Sequence, residues 1–219
     1  MAAPTRTIQL WDLPLRLFHW GLVMAVGTAI ATGLAGGSWI EWHGRAGITV
    51  AGLLGFRLAW GLVGSETARF TSFVRGPRAI ADYVRGRWQG LGHNPLGALS
   101  VLAVLGLLSA QVLTGLFGND EIAFTGPLSH WVSDDTSVWL TGKHRLLVWG
   151  VYALLLLHVV AIAAYRVFKR EALVPPMVTG RKVVADAVAT PSRAPSWALP
   201  VAVTSGLITA TLAAGIWPQ

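Results

Sequence analysis

Apolar residues along the chain gather into five runs, separated by segments that hold most of the charge. The first four cover roughly residues 15–36, 42–64, 96–117 and 143–168. As helices rising about 1.5 Å per residue, each is long enough to cross a hydrocarbon core of about 30 Å. The fifth, Trp197 to Trp217, has a tryptophan at both ends and the length of about 20 residues that a span requires. Asp12 and Pro14 precede the first run as an N-cap and first-turn pair. That run is longer than a signal-peptide core and carries His19, so it reads as a span and not as a leader.

The connections differ in character. Residues 65–95 are basic, with Arg69, Arg75, Arg78, Arg85 and Arg87. Within them PRAIADYVRGRW reads as a short helix lying in the interface: Pro77 starts it, Ile80, Tyr83, Val84 and Trp88 give it an apolar side, and the arginines face headgroups. Residues 118–142 are acidic, with Asp120, Glu121, Asp134 and Asp135. The second run carries small residues at Gly47, Ala51 and Gly55, a stripe that lets a helix or a flat macrocycle approach the backbone closely.

Composition sharpens this reading. The chain is 53% hydrophobic and 12% charged, against about 25% charged for ordinary soluble domains. Its 11 tryptophans fit the lipid–water boundary. The basic pI near 10.8 comes from residues between apolar runs, so it points to the membrane surface and to topology, not to nucleic acid. Without cysteine there is no thiolate for an iron–sulfur cluster, a c-type haem, a disulfide or palmitoylation. No Gly-rich dinucleotide fingerprint or soluble domain of flavin-binding size is present. Of the 17 lysines and arginines, 13 lie in the N-terminus, the 65–95 connection and the 166–193 segment. The positive-inside rule therefore predicts a cytoplasmic N-terminus and, with five spans, a periplasmic C-terminus.

Histidines bring in chemistry. His144 and His158 are 14 residues apart, which on a helix returns to within about 40° of the same face and advances roughly 21 Å. With the predicted topology, His19 and His158 lie at the cytoplasmic depth, and His43 and His144 at the outer one. Two imidazoles facing each other from different helices can hold a six-coordinate iron, which suits electron transfer. Zinc would call for four ligands converging on one point. A single boundary histidine would be unremarkable. Two depth-matched pairs sharing one helix are harder to explain without a metal, because ionisable groups are costly inside a bilayer.

Arg57 lies 14 residues beyond His43, at the depth of the cytoplasmic pair, where it either snorkels to the interface or pairs with a haem propionate. His93, in GHNP, either donates to a propionate or a quinone carbonyl or caps the third span. His130 reads as a surface histidine, and Gln111 as a tie between helices.

Taken with the motifs around these histidines, the chain resembles the bacterial cytochrome b561 family, which includes the b-type subunits of nickel–iron hydrogenases. The resemblance spans residues 8–182 and rests on WDLPLRLFHW, EWHGRAG, FRLAWGLVGS, FVRGPRAI, LGHNPLG and GKHRLLVWGVYALLLLHVVA. It implies an all-α integral membrane fold, a four-helix transmembrane bundle binding two haems b through His19, His43, His144 and His158. The fifth run is an additional C-terminal transmembrane helix. The domain reading is 1–170 for the di-haem unit, 171–196 for a basic cytoplasmic linker and 197–217 for the extra helix.

The function expected from this is electron transfer across a bacterial inner membrane. It would run between a quinone, with ubiquinone a candidate, and a redox partner such as a periplasmic c-type cytochrome. A hydrogenase or dehydrogenase anchor subunit is the first alternative. A superoxide:quinone oxidoreductase is the second, with Lys143 and Arg145 drawing the anion toward His144. A haem-free scaffold or transporter is the rival from another class. The extra helix leaves contacts with a partner or a second copy open.

Overall fold

The computed structural model describes residues 4–88 and 90–215. The chain is mostly helical. Strand β1 (Thr5–Gln9) leads to α1 (Leu13–Ala35), and a 3-10 turn over Gly37–Trp39 leads to α2 (Ile40–Val63). Two short helices, α3 (Phe70–Phe73) and α4 (Pro77–Val84), precede α5 (Pro95–Leu116) and α6 (Asp134–Phe168). The chain then forms α7 (Val174–Thr179), β2 (Arg181–Ala185) and α8 (Ala198–Ala213). Four helices, Leu13–Ala35, Gly37–Val63, Pro95–Leu116 and Asp134–Phe168, are long and apolar enough to cross a membrane.

Local chemistry fixes the helix ends. Asp12 caps α1 by accepting from the Leu15 N–H at 2.7 Å, with Pro14 in the first turn. Asn94 caps α5 through the Gly97 N–H at 2.8 Å. Capping of that span therefore belongs to Asn94 and not to His93. Ser133 caps α6, whose first turn holds Asp134 and Asp135, acids that complement the positive end of the helix dipole. The turn from α1 to α2 runs through Gly36 and Gly37, at φ of 62° and 53°, where only glycine sits without strain.

The helices assemble as two packed pairs, α1 on α2 and α5 on α6, joined where α2 meets α5. The core along this seam includes Leu15, Phe18, Val26, Val50, Leu54, Trp60, Leu105, Leu108 and Val151. The outer surface stays apolar: Met24, Leu34, Leu62, Trp149, Leu156 and Val159 are exposed. Only 6% of the most apolar stretch of α6 is buried, so its surface is matched by lipid and not by protein. This is a multi-pass membrane protein.

One end of the bundle gathers β1, the 64–94 connection and the segment after α6; we call it the basic end. The other end holds the acidic 118–133 connection. At the basic end β1 pairs antiparallel with β2, Thr5 opposite Ala185 and Gln9 opposite Arg181. The segment expected as a linker, 171–196, thus contains a helix and a strand. Tyr83 on α4 hydrogen-bonds Tyr165 on α6, and Asn94 donates to the Tyr165 hydroxyl at 2.7 Å. At the acidic end α6 begins at Asp134, so residues 134–142, expected as connection, are helical. There the Asp120 carboxylate accepts from the N–H groups of Phe124, Ala123 and Ile122, which hold it below the usual carboxylate range.

Helix α8 spans 16 residues, about 24 Å of helix against a hydrocarbon core of about 30 Å. It is shorter than the run predicted from Trp197 to Trp217, and Trp217 lies outside the described residues. It runs antiparallel along the small-residue face of α2. A Cβ on Gly52 would meet Ala210 Cβ at 3.0 Å, and one on Gly55 would meet Thr209 Cβ at 2.7 Å. Ser205 donates to the Gly55 carbonyl at 3.1 Å. Of the stripe read from sequence, Gly55 and Ala51 therefore face α8, while a Cβ on Gly47 would meet nothing within 4 Å.

Candidate functional site

Four of the six histidines converge in two pairs. His19 on α1 faces His158 on α6 with ring centroids 6.5 Å apart. His43 on α2 faces His144 on α6 at 5.8 Å. These are the partners that depth in the sequence predicts. All four rings are half-buried within the spans. Yet α6 packs along α5 and makes little backbone contact with α1 or α2, so in both pairs the imidazoles reach toward each other across a seam that backbone packing leaves open.

The pair near the acidic end is held by backbone carbonyls. His43 Nδ1 donates to Ala29 O at 2.7 Å and His144 Nδ1 to Gln111 O at 2.9 Å. A carbonyl only accepts, so each ring carries its proton on Nδ1 and leaves the Nε2 lone pair available to a metal. Both rings lie over a glycine. A Cβ on Gly33 would stand 2.9 Å from His43 Nδ1, and one on Gly115 would stand 3.0 Å from His144 Cε1. Gln111 also donates from Nε2 to the His144 carbonyl at 3.1 Å, the interhelical tie expected of it. Sequence reasoning missed Gly33 and Gly115. An isolated glycine inside a span was their signal, and 25 glycines in the chain hid it.

The pair near the basic end has different surroundings. His19 Nδ1 is buried without a hydrogen-bond partner. Phe18 and Phe56, the residues before His19 and Arg57, stack at 6.2 Å, which brings His19 and Arg57 to one level of the bundle. Arg57 is 2% exposed. Its guanidinium lies over Phe70 at 4.6 Å and Phe73 at 5.9 Å. His93 stacks on Phe73 at 4.8 Å and on Trp11 at 4.6 Å. Its buried Nδ1 has no partner, nor has Nη1 of Arg57 or Nε of Arg69. Burial, with the Arg57 charge adding to it, pushes the His93 imidazole down to about 4. Asp12, whose charge acts on Arg57, accepts from Leu15 N, Trp60 Nε1 and the Ser65 hydroxyl. Arg69 was missed in the sequence because an arginine in a connection reads first as a topology signal. His130 is exposed at the acidic end and belongs to neither pair.

Among the described residues no group of three or more His, Cys, Asp or Glu is close enough to hold a metal ion. What the donor set offers is two separate bis-imidazole pairs. The model for the prokaryotic cytochrome b561 family matches residues 10–180. The chain belongs to that family. Among its relatives, a protein of Azotobacter chroococcum named "Probable Ni/Fe-hydrogenase B-type cytochrome subunit" is 26% identical. The match covers 82% of this chain and 90% of the relative. Proteins of the same name from Rhodobacter capsulatus, 23% identical over 82% of this chain and 83% of the relative, and from Azotobacter vinelandii, 26% identical over 82% and 90%, also match. No solved structure matches the chain significantly. The cytochrome b561 match ends before α8, which lies outside the family region.

Membership of this cytochrome family implies b-type haem, and the residues present fit it. A metal–imidazole bond is about 2 Å, so two imidazoles on opposite sides of one metal have ring centroids roughly 6–6.5 Å apart. The 6.5 and 5.8 Å separations lie at or near that range. Buried, unpartnered cationic nitrogens at the basic end suit the carboxylates a haem carries.

Proposed function

We propose that this protein carries electrons across a bacterial inner membrane through two b-type haems, one held by His19 and His158 and the other by His43 and His144. The observation that carries the reading is the pairing of these four imidazoles, at haem-ligand spacing, across the open seam beside α6. Residues 1–170 form the di-haem unit, a four-helix transmembrane bundle. The 171–196 segment covers its cytoplasmic side, and the apolar helix α8 packs beside the bundle on α2. The basic end faces the cytoplasm, because arginine and lysine gather there.

Bound haem supplies a reversible one-electron couple, and the chain supplies the rest. His19 with His158, and His43 with His144, would hold the two haems, and a site held by two histidines suits electron transfer. The Ala29 and Gln111 carbonyls fix the His43 and His144 rings by accepting hydrogen bonds from Nδ1, which also makes those imidazoles stronger donors. Arg57 and His93 would pair with the propionates of a haem at the cytoplasmic site. A quinone such as ubiquinone is the membrane-soluble partner, and a redox protein such as a c-type cytochrome meets the acidic end. A second reading, the b-type anchor subunit of a hydrogenase, is favoured by the names of the relatives.

Proteoliposomes with ferricyanide inside and a membrane-impermeant reductant outside test the proposal. Internal ferricyanide should be reduced through the wild-type protein and not through His158→Ala. Equal rates for the two, or no transfer through the wild type, overturn it. Hydrogen-dependent reduction of the haems in a co-purified complex would select the second reading.

A further inference from the structure

The basic end holds a cluster of hydrogen-bond donors that the protein does not use up. Tyr83 on α4 and Tyr165 on α6 meet hydroxyl to hydroxyl. Asn94 Nδ2 donates to the Tyr165 oxygen at 2.7 Å, and Lys169 Nζ donates to the Tyr83 oxygen at 3.0 Å. The Asn94 amide cannot turn round, because its Oδ1 accepts from the Gly97 N–H as the cap of α5. An ammonium likewise only donates. Each phenol oxygen thus receives an N–H, and the pair keeps two protons of its own. One of them bridges the two oxygens. The other has no acceptor among the hydrogen bonds of the described residues and points out of the cluster, whichever tyrosine carries it.

Positive charge is in excess at the same place. The Lys169 ammonium lies over the Tyr83 and Tyr165 rings at 4.6 and 5.2 Å, and the ring faces hold it beside the hydroxyls. Lys169 makes no salt bridge among the described residues, nor do the exposed Arg75, Arg78, Arg85, Arg166 and Arg170. The neighbouring carboxylates are occupied, Asp82 by Arg87 and Glu171 by Lys182, at 2.6 Å each. An outward O–H beside an ammonium and uncompensated arginines suits an anionic oxygen, and a phosphate accepts such bonds in their strong, charge-assisted form.

Depth decides which phosphate is at hand. Val167 and Phe168, next to Lys169 at the end of α6, are exposed. Acyl chains therefore lie against α6 up to this point, and their headgroups stand at the level of the cluster.

We infer that Tyr83, Tyr165 and Lys169 form a binding site for the phosphate of an anionic phospholipid, and that the bound headgroup pins α4 to the end of α6. The site does not depend on what the histidines hold. A zwitterionic lipid offers the same phosphate but brings its own cation, which the surrounding arginines repel.

Titration of the full-length protein in detergent with phosphatidylglycerol, phosphatidylcholine or inorganic phosphate tests this, read by native mass spectrometry and by tryptic cleavage after Arg85 and Arg87. Phosphatidylglycerol should be retained as a single tightly bound lipid and should slow that cleavage, while phosphatidylcholine and inorganic phosphate should do neither. Lys169→Gln should weaken retention about fivefold, and Lys169→Arg should restore most of it. Tyr83→Phe combined with Tyr165→Phe should weaken it about tenfold. Circular dichroism should show wild-type helical content in all of them. The inference is overturned if Lys169→Gln retains phosphatidylglycerol as the wild type does, or if phosphatidylcholine or inorganic phosphate protects equally. It is also overturned if a short-chain ubiquinone gives the protection that phosphatidylglycerol does not, which would assign the outward donor to a carbonyl.

Discussion

Gly33→Ala is a one-carbon test of how the acidic-end pair is built. The new Cβ would stand 2.9 Å from His43 Nδ1 and 3.1 Å from Cε1. Comfortable contact needs about 3.5 Å, so the ring must move by roughly 0.5 Å. That shift stretches the Nδ1–Ala29 bond from 2.7 Å beyond good hydrogen-bonding geometry. The direct cost is about 1–3 kcal/mol of overpacking, plus about 1 kcal/mol for the weakened bond. Loss of a bond that orients a metal-ligating histidine typically lowers affinity about 10–100-fold. Helix propensity works the other way, since alanine in place of glycine inside α1 favours the helix by about 1 kcal/mol. The variant should therefore stay folded and helical while losing one haem selectively. Haem content and reduced-minus-oxidised spectra, read beside circular dichroism, check this. Retention of both haems at wild-type affinity would refute the claim that His43 is positioned by contact with Gly33.

Three further outcomes follow from the same geometry. Asp12→Ala removes the α1 cap and strands Trp60 Nε1 and the Ser65 hydroxyl; a loss of about 2–4 kcal/mol should appear in denaturation of the protein in detergent. Gly55→Leu places carbon where Thr209 now sits and should release α8 from α2, read as proteolytic cleavage in 186–196 with the haem spectrum intact. In the protein without haem, where no propionate faces it, His93 is held neutral down to about 4, against about 6.5 in an unfolded chain. Between those values the folded protein binds fewer protons than the unfolded one, so stability falls as the pH is lowered through this window. His93→Gln should show a shallower fall between pH 6.5 and 4 in melts of the haem-free protein, and an unchanged slope would count against a buried, neutral His93.

The four spans and the two histidine pairs were legible in the sequence because both rest on regular helical spacing. A 14-residue interval between His144 and His158 keeps its meaning wherever α6 begins. The β1–β2 pairing was not legible. Thr5–Gln9 and Arg181–Ala185 lie at opposite ends of the chain, each only five residues long, and neither has a pattern that names its partner. The start of α6 at Asp134 was hidden for a different reason. A hydropathy reading stops where the apolar run stops, while the helix continues through polar residues to the Ser133 cap. The cationic group around Arg57 was seen only in part. The sequence gives the depth of Arg57 on α2, but Phe70, Phe73 and Arg69 come from a connection whose path depends on tertiary packing.

The central claim is that two histidine pairs at two depths each hold one haem, and haem stoichiometry in the four single His→Ala variants tests it most directly. The account predicts two b-type haems per wild-type chain. His19→Ala and His158→Ala should lose one and the same haem, and His43→Ala and His144→Ala the other. A wild type holding one haem or none, or the same haem lost from His19→Ala and His43→Ala, would contradict it.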